Sequence, residues 1–303
     1  MRIGFIGAGK VGCALGAHLR KSTTVDVSGY YSRSSASARS AADALNADTG
    51  DASIPVAAFP SLASAVELSD MLVVTTPDDA IAGVWQALLG LPDDAVGGMA
   101  IGHCSGCLSS RVFDGADQAG VSAFSMHPMQ AVSERFPADG RDQLDGAFFA
   151  LEGDTRVTEA MSQLLTSLGN PNRTIAAGDK PRYHAAAVMA SNLPIALWNQ
   201  AVETLRSCGF TEPDARKALS AMIRHNADSF CERGAKAALT GPVERADVGT
   251  VEAHLSALPP DASALYLQLS RALAGIAAAK NPNRDYAGLR AALGQTHDSS
   301  THN

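Results

Sequence analysis

Six residues near the start of the chain have the types and spacing to hold an anionic ligand by backbone alone. Gly7-Ala8-Gly9-Lys10-Val11-Gly12 follows the apolar run Met1–Ile6 and precedes a helical pattern from Val11 to Arg20. G-x-G-x-x-G between a strand and a helix is the spacing of a dinucleotide-binding turn. The first glycine permits the tight turn, the second lets the backbone approach a pyrophosphate, and the third lets helix and strand pack closely. The helix N-terminus then faces the phosphates with its partial positive charge.

A second group discriminates between the two nicotinamide dinucleotides. The next strand, Val25–Tyr30, runs into Tyr31-Ser32-Arg33-Ser34. An Asp or Glu about 20 residues beyond the glycines would hold a ribose 2′-hydroxyl. No carboxylate stands there, and Asp26 comes too early in the strand. Arg33 offers a planar fork to a 2′-phosphate, and Ser32 and Ser34 offer hydroxyls. The expected cofactor is NADP, used as NADPH. The sequence also allows Arg33 to stack on the adenine or to lie in solvent.

Hydride chemistry further needs a proton carrier and groups that orient a substrate. Thr76-Pro77, His103, Ser105 and His127 each follow a short apolar run. In open α/β sheets ligands collect at such strand ends. Thr76 and Pro77 are expected beside the cofactor. His103 with Ser105, and His127, are candidate proton carriers, because imidazole titrates near neutrality. A histidine in such a place can equally cap a loop. Further on, Lys180, His184 and Ser191 fall within a stripe roughly 40° wide at about 100° per residue, with Asn192 at its edge. A polar stripe on an apolar helix is either solvated or faces a cleft, and the densely apolar Ala185–Ala190 favours the cleft. Leu239–Asp247 holds a Thr-Gly-Pro turn and Arg245, which can clamp a carboxylate or sit with Glu244 and Asp247 as surface charge.

The elements that position these residues follow from periodicity. Helical patterns cover Ser34–Ala47, Ser61–Leu68, Ile81–Leu89 and Thr155–Leu168. Strands are expected at Ala52–Phe59, Met71–Thr75, Met99–His103, Val121–Met126, Ala147–Leu151 and Arg173–Ala177. This alternation implies an α/β fold, a doubly wound, mostly parallel sheet with right-handed crossovers. After Asp179 the chain reads as helix: Tyr183–Arg206 with a kink at Pro194, then Pro213–Arg233, Val248–Leu258 and Ala262–Lys280. The expected organisation is a dinucleotide-binding domain over 1–178, a helical domain over 179–293 and a disordered tail over 294–303.

The 303 residues suit about two domains. The net charge of −7 gives no footprint for nucleic acid. No apolar run reaches the ~18 residues of a membrane span. A strand beginning at the initiator Met leaves no room for a signal peptide, so a cytoplasmic location is expected. Five scattered cysteines fit reduced thiols. Cys104-Ser-Gly-Cys107 lacks the second pair of a zinc site, so no metal is expected, and Cys13, Cys208 and Cys231 read as small buried residues.

GAGKVG (7–12), HCSG (103–106), HPMQ (127–130), YHAAAVMASN (183–192) and LTGPVERAD (239–247) carry a resemblance that spans most of the chain. The sequence resembles a family of Rossmann-like proteins in which a helical domain of unknown function follows the dinucleotide-binding domain. Ala246 departs from it, standing where a glycine is expected. More distantly, the plan is similar to pyrroline-carboxylate reductase, prephenate dehydrogenase, ketopantoate reductase and the deazaflavin-dependent NADP oxidoreductases. The resemblance implies a second domain of the 6-phosphogluconate-dehydrogenase C-terminal type, nicotinamide chemistry and a homodimer through the helical domain. The expectation is an NADP(H)-dependent oxidoreductase acting on a small carbonyl, imine or 2-oxo acid, with a ketopantoate-type substrate as analogy. A non-catalytic NADP(H) sensor and deazaflavin–NADP hydride exchange are the alternatives.

Overall fold

The computed structural model describes residues 1–47, 54–92 and 94–294. It divides into two compact units, Met1–Ser191 and Asn192–Asn303. In the first unit eight strands form one sheet. They are β1 (Arg2–Ile6), β2 (Asp26–Tyr31), β3 (Ala57–Ala58), β4 (Met71–Val74), β5 (Ala100–His103), β6 (Ser122–Pro128), β7 (Phe149–Gly153) and β8 (Asn172–Thr174). The order is β3-β2-β1-β4-β5-β6-β7-β8. Every pair is parallel except β6 with β7. The order reverses between β1 and β4, and crevices at such switch points are where α/β sheets take ligands.

Helices cover both faces: α1 (Lys10–Leu19), α2 (Ser35–Ala47), α3 (Leu62–Glu67), α4 (Asp78–Leu89) and α5 (Thr155–Ser167). The strands sort their apolar residues by alternation. Met71 and Val73 of β4 join the cluster beneath α1, α2 and α5, together with Phe5, Leu15, Tyr30 and Phe149. Leu72 and Val74 join the opposite cluster with Ile81, Trp85 and Phe113.

The expected third strand shrinks to Ala57–Ala58, and its first residues, 52 and 53, lie outside the described residues. The reversal at β7 follows the long irregular segment after β6. That segment is pinned by buried His18, whose ring nitrogens lie 2.6 Å from oxygens of Asp142 and Asn170.

The second unit is helical. α6 (Lys180–Ser207) begins in the first unit and continues without interruption through Pro194. α7 (Glu212–Ala238) is broken at Gly234, whose φ of 74° is left-handed, just past the expected end at Arg233. α8 (Pro242–Arg245), α9 (Val248–Ala257), α10 (Pro260–Lys280) and α11 (Ala287–Ala292) follow, and α11 was not anticipated. Their core gathers Val243, Val251, Ala274, Ala277, Tyr286 and Leu289. Cys13 is buried as expected, but Cys208 and Cys231 are exposed, because α6 and α7 leave most of their surface uncovered. Residues 295–303, most of the tail expected to be disordered, lie outside the described residues. Among the described residues no helix is long and apolar enough to cross a membrane.

Candidate functional site

The glycine turn is locked from below and open above. Gly7 adopts φ 121°, and its N–H donates to the Tyr31 carbonyl at 2.8 Å. The Thr75 hydroxyl donates to the Gly7 carbonyl at 2.8 Å. A Cβ at Gly7 would stand 2.8 Å from the Thr75 backbone, and one at Gly12 would stand 2.5 Å from the Gly7 carbonyl. Gly9 differs: nothing lies within 4 Å of where its Cβ would be, and it starts α1 with no side-chain cap. The first-turn N–H groups, from Lys10 and Val11 onward, are therefore available to an anion.

This turn borders a cleft of about 570 Å³. Gly7, Ala8 and Gly9 form one wall, Tyr31, Ser32 and Arg33 a second, and Thr75, Thr76 and Pro77 a third. The Thr76 hydroxyl is buried there without a hydrogen-bond partner. Such an atom needs a polar ligand group to offset its desolvation. Arg33 is exposed at the rim. Ser34 accepts the Ser37 N–H at 3.3 Å and so caps the first turn of α2, while Ser37, missed by the sequence reading, lines the cleft. An uncapped helix start, an open glycine, an unpartnered hydroxyl and a rim guanidinium fit a phosphorylated dinucleotide.

A polar cluster lies at the carboxyl ends of β4, β5 and β6. Asp78, the residue after Pro77, accepts the Ser105 hydroxyl proton at 2.6 Å. The same hydroxyl oxygen accepts the N–H groups of Cys107 and Leu108 at 3.2 and 2.9 Å. Lys180, only 1 % exposed, donates from Nζ to the Ser105 carbonyl at 2.6 Å and to the Ser125 hydroxyl at 2.7 Å. His103 and Ser125 are register partners, as are Ser125 and buried Glu152. Burial lowers the pKa of Lys180, with Glu152 the first of the charges opposing it. Glu152 accepts from the N–H and hydroxyl of Ser110 at 2.7 and 2.8 Å.

His103 is fully buried. Its Nδ1 accepts the Ser105 N–H at 3.1 Å, which places the proton of the neutral ring on Nε2. Burial pushes its pKa down to about 4. His103 thus braces the loop after β5 from beneath.

His127 and Tyr183 share a hydrogen bond of 2.8 Å between Nδ1 and the phenol oxygen. Burial, with Lys180 and His184 adding to it, lowers the His127 pKa to about 4, and burial pushes the Tyr183 phenol up to about 12. His184 lies edge-on to His127 at 5.8 Å between ring centroids, and its buried Nδ1 has no partner. Both rings press on Gly106. A Cβ there would overlap the His184 ring and stand 2.9 Å from His127 Nε2.

The structure therefore brings His103, Ser105, His127, Lys180 and His184 together. Ser191, the third member of the expected stripe, is exposed and donates to the Ala187 carbonyl at 2.7 Å. Asn192 is exposed and opens the second unit. Arg245 is exposed at the end of α8 in that unit. Its neighbours are structural rather than surface charges. Asp247 caps α9 by accepting the Thr250 N–H at 3.1 Å, and Glu244 accepts from Asn281 at 2.7 Å. Tyr183, Asp78 and Ser125 were missed. Tyr183 stands three residues after Lys180, a spacing that puts both on one helix face.

The Cys104 thiol, pushed up to about 12 by burial, is not a ready thiolate. Among the described residues no group of three or more His, Cys, Asp or Glu could hold a metal.

Two family models match the chain. Residues 1–128 match a Rossmann-like domain, and residues 147–273 match DUF2520, a domain of unknown function. Among curated proteins, none matches the sequence. Similar solved structures include protein TM1727 from Thermotoga maritima, 25 % identical over 92 % of this chain and 99 % of that one, with TM-score 0.69. A reductive aminase from Aspergillus terreus, solved with NADPH and ethyl-5-oxohexanoate, is 17 % identical over 93 % and 94 % of the two chains, with TM-score 0.59. An imine reductase from Pseudomonas sp. is 20 % identical over 91 % and 97 %, with TM-score 0.56. The chain is thus a Rossmann-like protein with a C-terminal DUF2520 domain.

Proposed function

We propose that this protein is an NADPH-dependent oxidoreductase acting on a small carbonyl, imine or 2-oxo acid compound. The observation that carries this reading is the join between cleft and cluster. Thr76 and Pro77 wall the cleft, and the next residue, Asp78, accepts the hydroxyl proton of Ser105. A cofactor in the cleft would present its reactive end toward the strand ends where Lys180, Tyr183 and His127 gather. The named activities of the reductive aminase and the imine reductase, which share this fold, support the same reaction class.

Gly7, Ala8 and Gly9, with the first turn of α1, would hold the pyrophosphate. Ser32 and Arg33 would hold the 2′-phosphate, and Thr76 the nicotinamide end. When bound, the cofactor supplies a hydride. The chain contributes a cleft beside the glycine turn, a buried ammonium that fixes the loop after β5, and a phenol–imidazole pair able to hold a proton.

The same reading includes a homodimer formed through the helical segment. Met189, Leu193 and Ile195 on α6, and Met222 and Phe230 on α7, are each more than half exposed in the single chain. Sedimentation should then give twice the chain mass.

The test of activity is oxidation of NADPH, followed at 340 nm, across a panel of 2-oxo acids, ketones, aldehydes and cyclic imines. Turnover of at least one class supports an enzyme. Bound NADPH that no compound oxidises would sink that reading and leave an NADP(H) sensor.

A further inference from the structure

We propose that Tyr183 is the catalytic acid, positioned by His127; this rests on the oxidoreductase reading above. The other polar groups of the cluster are buried or already bonded. Lys180 and His103 are 1 % and 0 % exposed, and Lys180 donates to Ser105 and Ser125. The Ser105 hydroxyl is tied to Asp78 and to two backbone N–H groups. The Nδ1 of His184 is buried against Gly106 without a hydrogen-bond partner. Tyr183 is only partly buried, one turn beyond Lys180, and its oxygen lies 2.8 Å from His127 Nδ1.

With Nδ1 of His127 protonated, the ring donates to the phenol oxygen and leaves the phenol proton free for a substrate. The Lys180 ammonium stands 5.9 Å from the centre of the Tyr183 ring. Burial keeps the phenol protonated across the physiological range, so it gives a proton rather than taking one.

The proton balance is simplest to write for a carbonyl. In carbonyl reduction the carbon receives a hydride, the C–O π pair moves to oxygen, and that oxygen forms a bond to hydrogen as the Tyr183 O–H bond breaks. The nicotinamide is oxidised and the carbonyl becomes an alcohol. The phenolate is held by His127 Nδ1–H and regains its proton from water. A neutral imine would take the same proton at nitrogen, whereas an iminium already carries it and becomes a neutral amine on taking the hydride alone.

The experiment compares wild type, Tyr183→Phe and His127→Gln on the same panel, with NADPH binding measured separately by nucleotide fluorescence. The expected result is carbonyl turnover that falls at least 100-fold in kcat in Tyr183→Phe, within the range for general acid catalysis. KM and NADPH binding should stay within about twofold. Spectrophotometric titration should show one high-pH phenol lost in Tyr183→Phe and the same phenol shifted in His127→Gln. Turnover of carbonyls or neutral imines that is unchanged in Tyr183→Phe overturns this assignment while leaving the oxidoreductase reading intact. Absence of NADPH binding by wild type overturns the nucleotide reading, and this assignment with it.

Discussion

The ammonium of Lys180 donates to the Ser105 carbonyl at 2.6 Å from a position only 1 % exposed to solvent. Its second bond, to the Ser125 hydroxyl, ties the first turn of α6 to β6 as well. A lysine so enclosed is a clamp on the strand ends. Lys180→Met should leave a buried carbonyl and a buried hydroxyl without their donor, destabilising the protein by about 3 kcal/mol. Urea unfolding would show it, and an unchanged midpoint would mean that the ammonium is not enclosed.

Gly106 seats two imidazoles. A methyl group there overlaps His184 and crowds His127 Nε2. Gly106→Ala should cost about 1–3 kcal/mol by overpacking. It should also disturb the His127–Tyr183 bond, seen as a change in the phenol titration. A variant with wild-type stability and phenol behaviour would contradict the packing described.

Ala246 has φ 58°, in the left-handed region, at the end of α8. The resemblance places a glycine there, and the conformation explains why. A Cβ in that region costs about 1–2 kcal/mol, partly offset by glycine's greater freedom when unfolded. Ala246→Gly should therefore stabilise the protein by about 0.5–1 kcal/mol. A loss of stability would count against the left-handed turn.

Stability should fall in acid. His103 and His127 titrate near 4 when folded, below the ordinary 6.5. Between those values the unfolded chain binds more protons than the native one, so stability rises with pH through this window. Their contribution is fully present above pH 6.5 and is lost as pH falls toward 4. A tenfold difference in proton affinity between the folded and unfolded chain corresponds to about 1.4 kcal/mol, so the two imidazoles together contribute on the order of a few kcal/mol. Denaturant midpoints from pH 7 to pH 4 would record the fall, and His103→Gln should flatten it. A flat profile in the wild type would contradict neutral, buried imidazoles.

What could be read from sequence is what local pattern encodes. The run Met1–Ile6 before GAGKVG predicted β1, the turn and α1, and the polar residues that end apolar runs fell at strand ends. The direction of β7 was not legible, because an apolar run reads the same either way and the reversal depends on the segment before it. α11 is six residues long, too short for a periodic signal. The pairings Tyr183–His127 and Asp78–Ser105 join residues 56 and 27 apart in the chain. Single-sequence spacing carries no information at that range. Lys180 and His184 were found because they lie four apart on one helix. The burial of Lys180 was not, since it is set by strands that arrive from elsewhere.

The proposed activity depends on whether the cleft beside Gly9 and Arg33 selects a 2′-phosphorylated dinucleotide. Titration of the protein with NADPH and with NADH, followed by nucleotide fluorescence, tests it directly when repeated with Arg33→Ala. The expected result is NADPH binding at least tenfold tighter than NADH, about 1.4 kcal/mol, with the difference lost in the variant. Equal affinity for the two nucleotides, or a preference that survives Arg33→Ala, would contradict it.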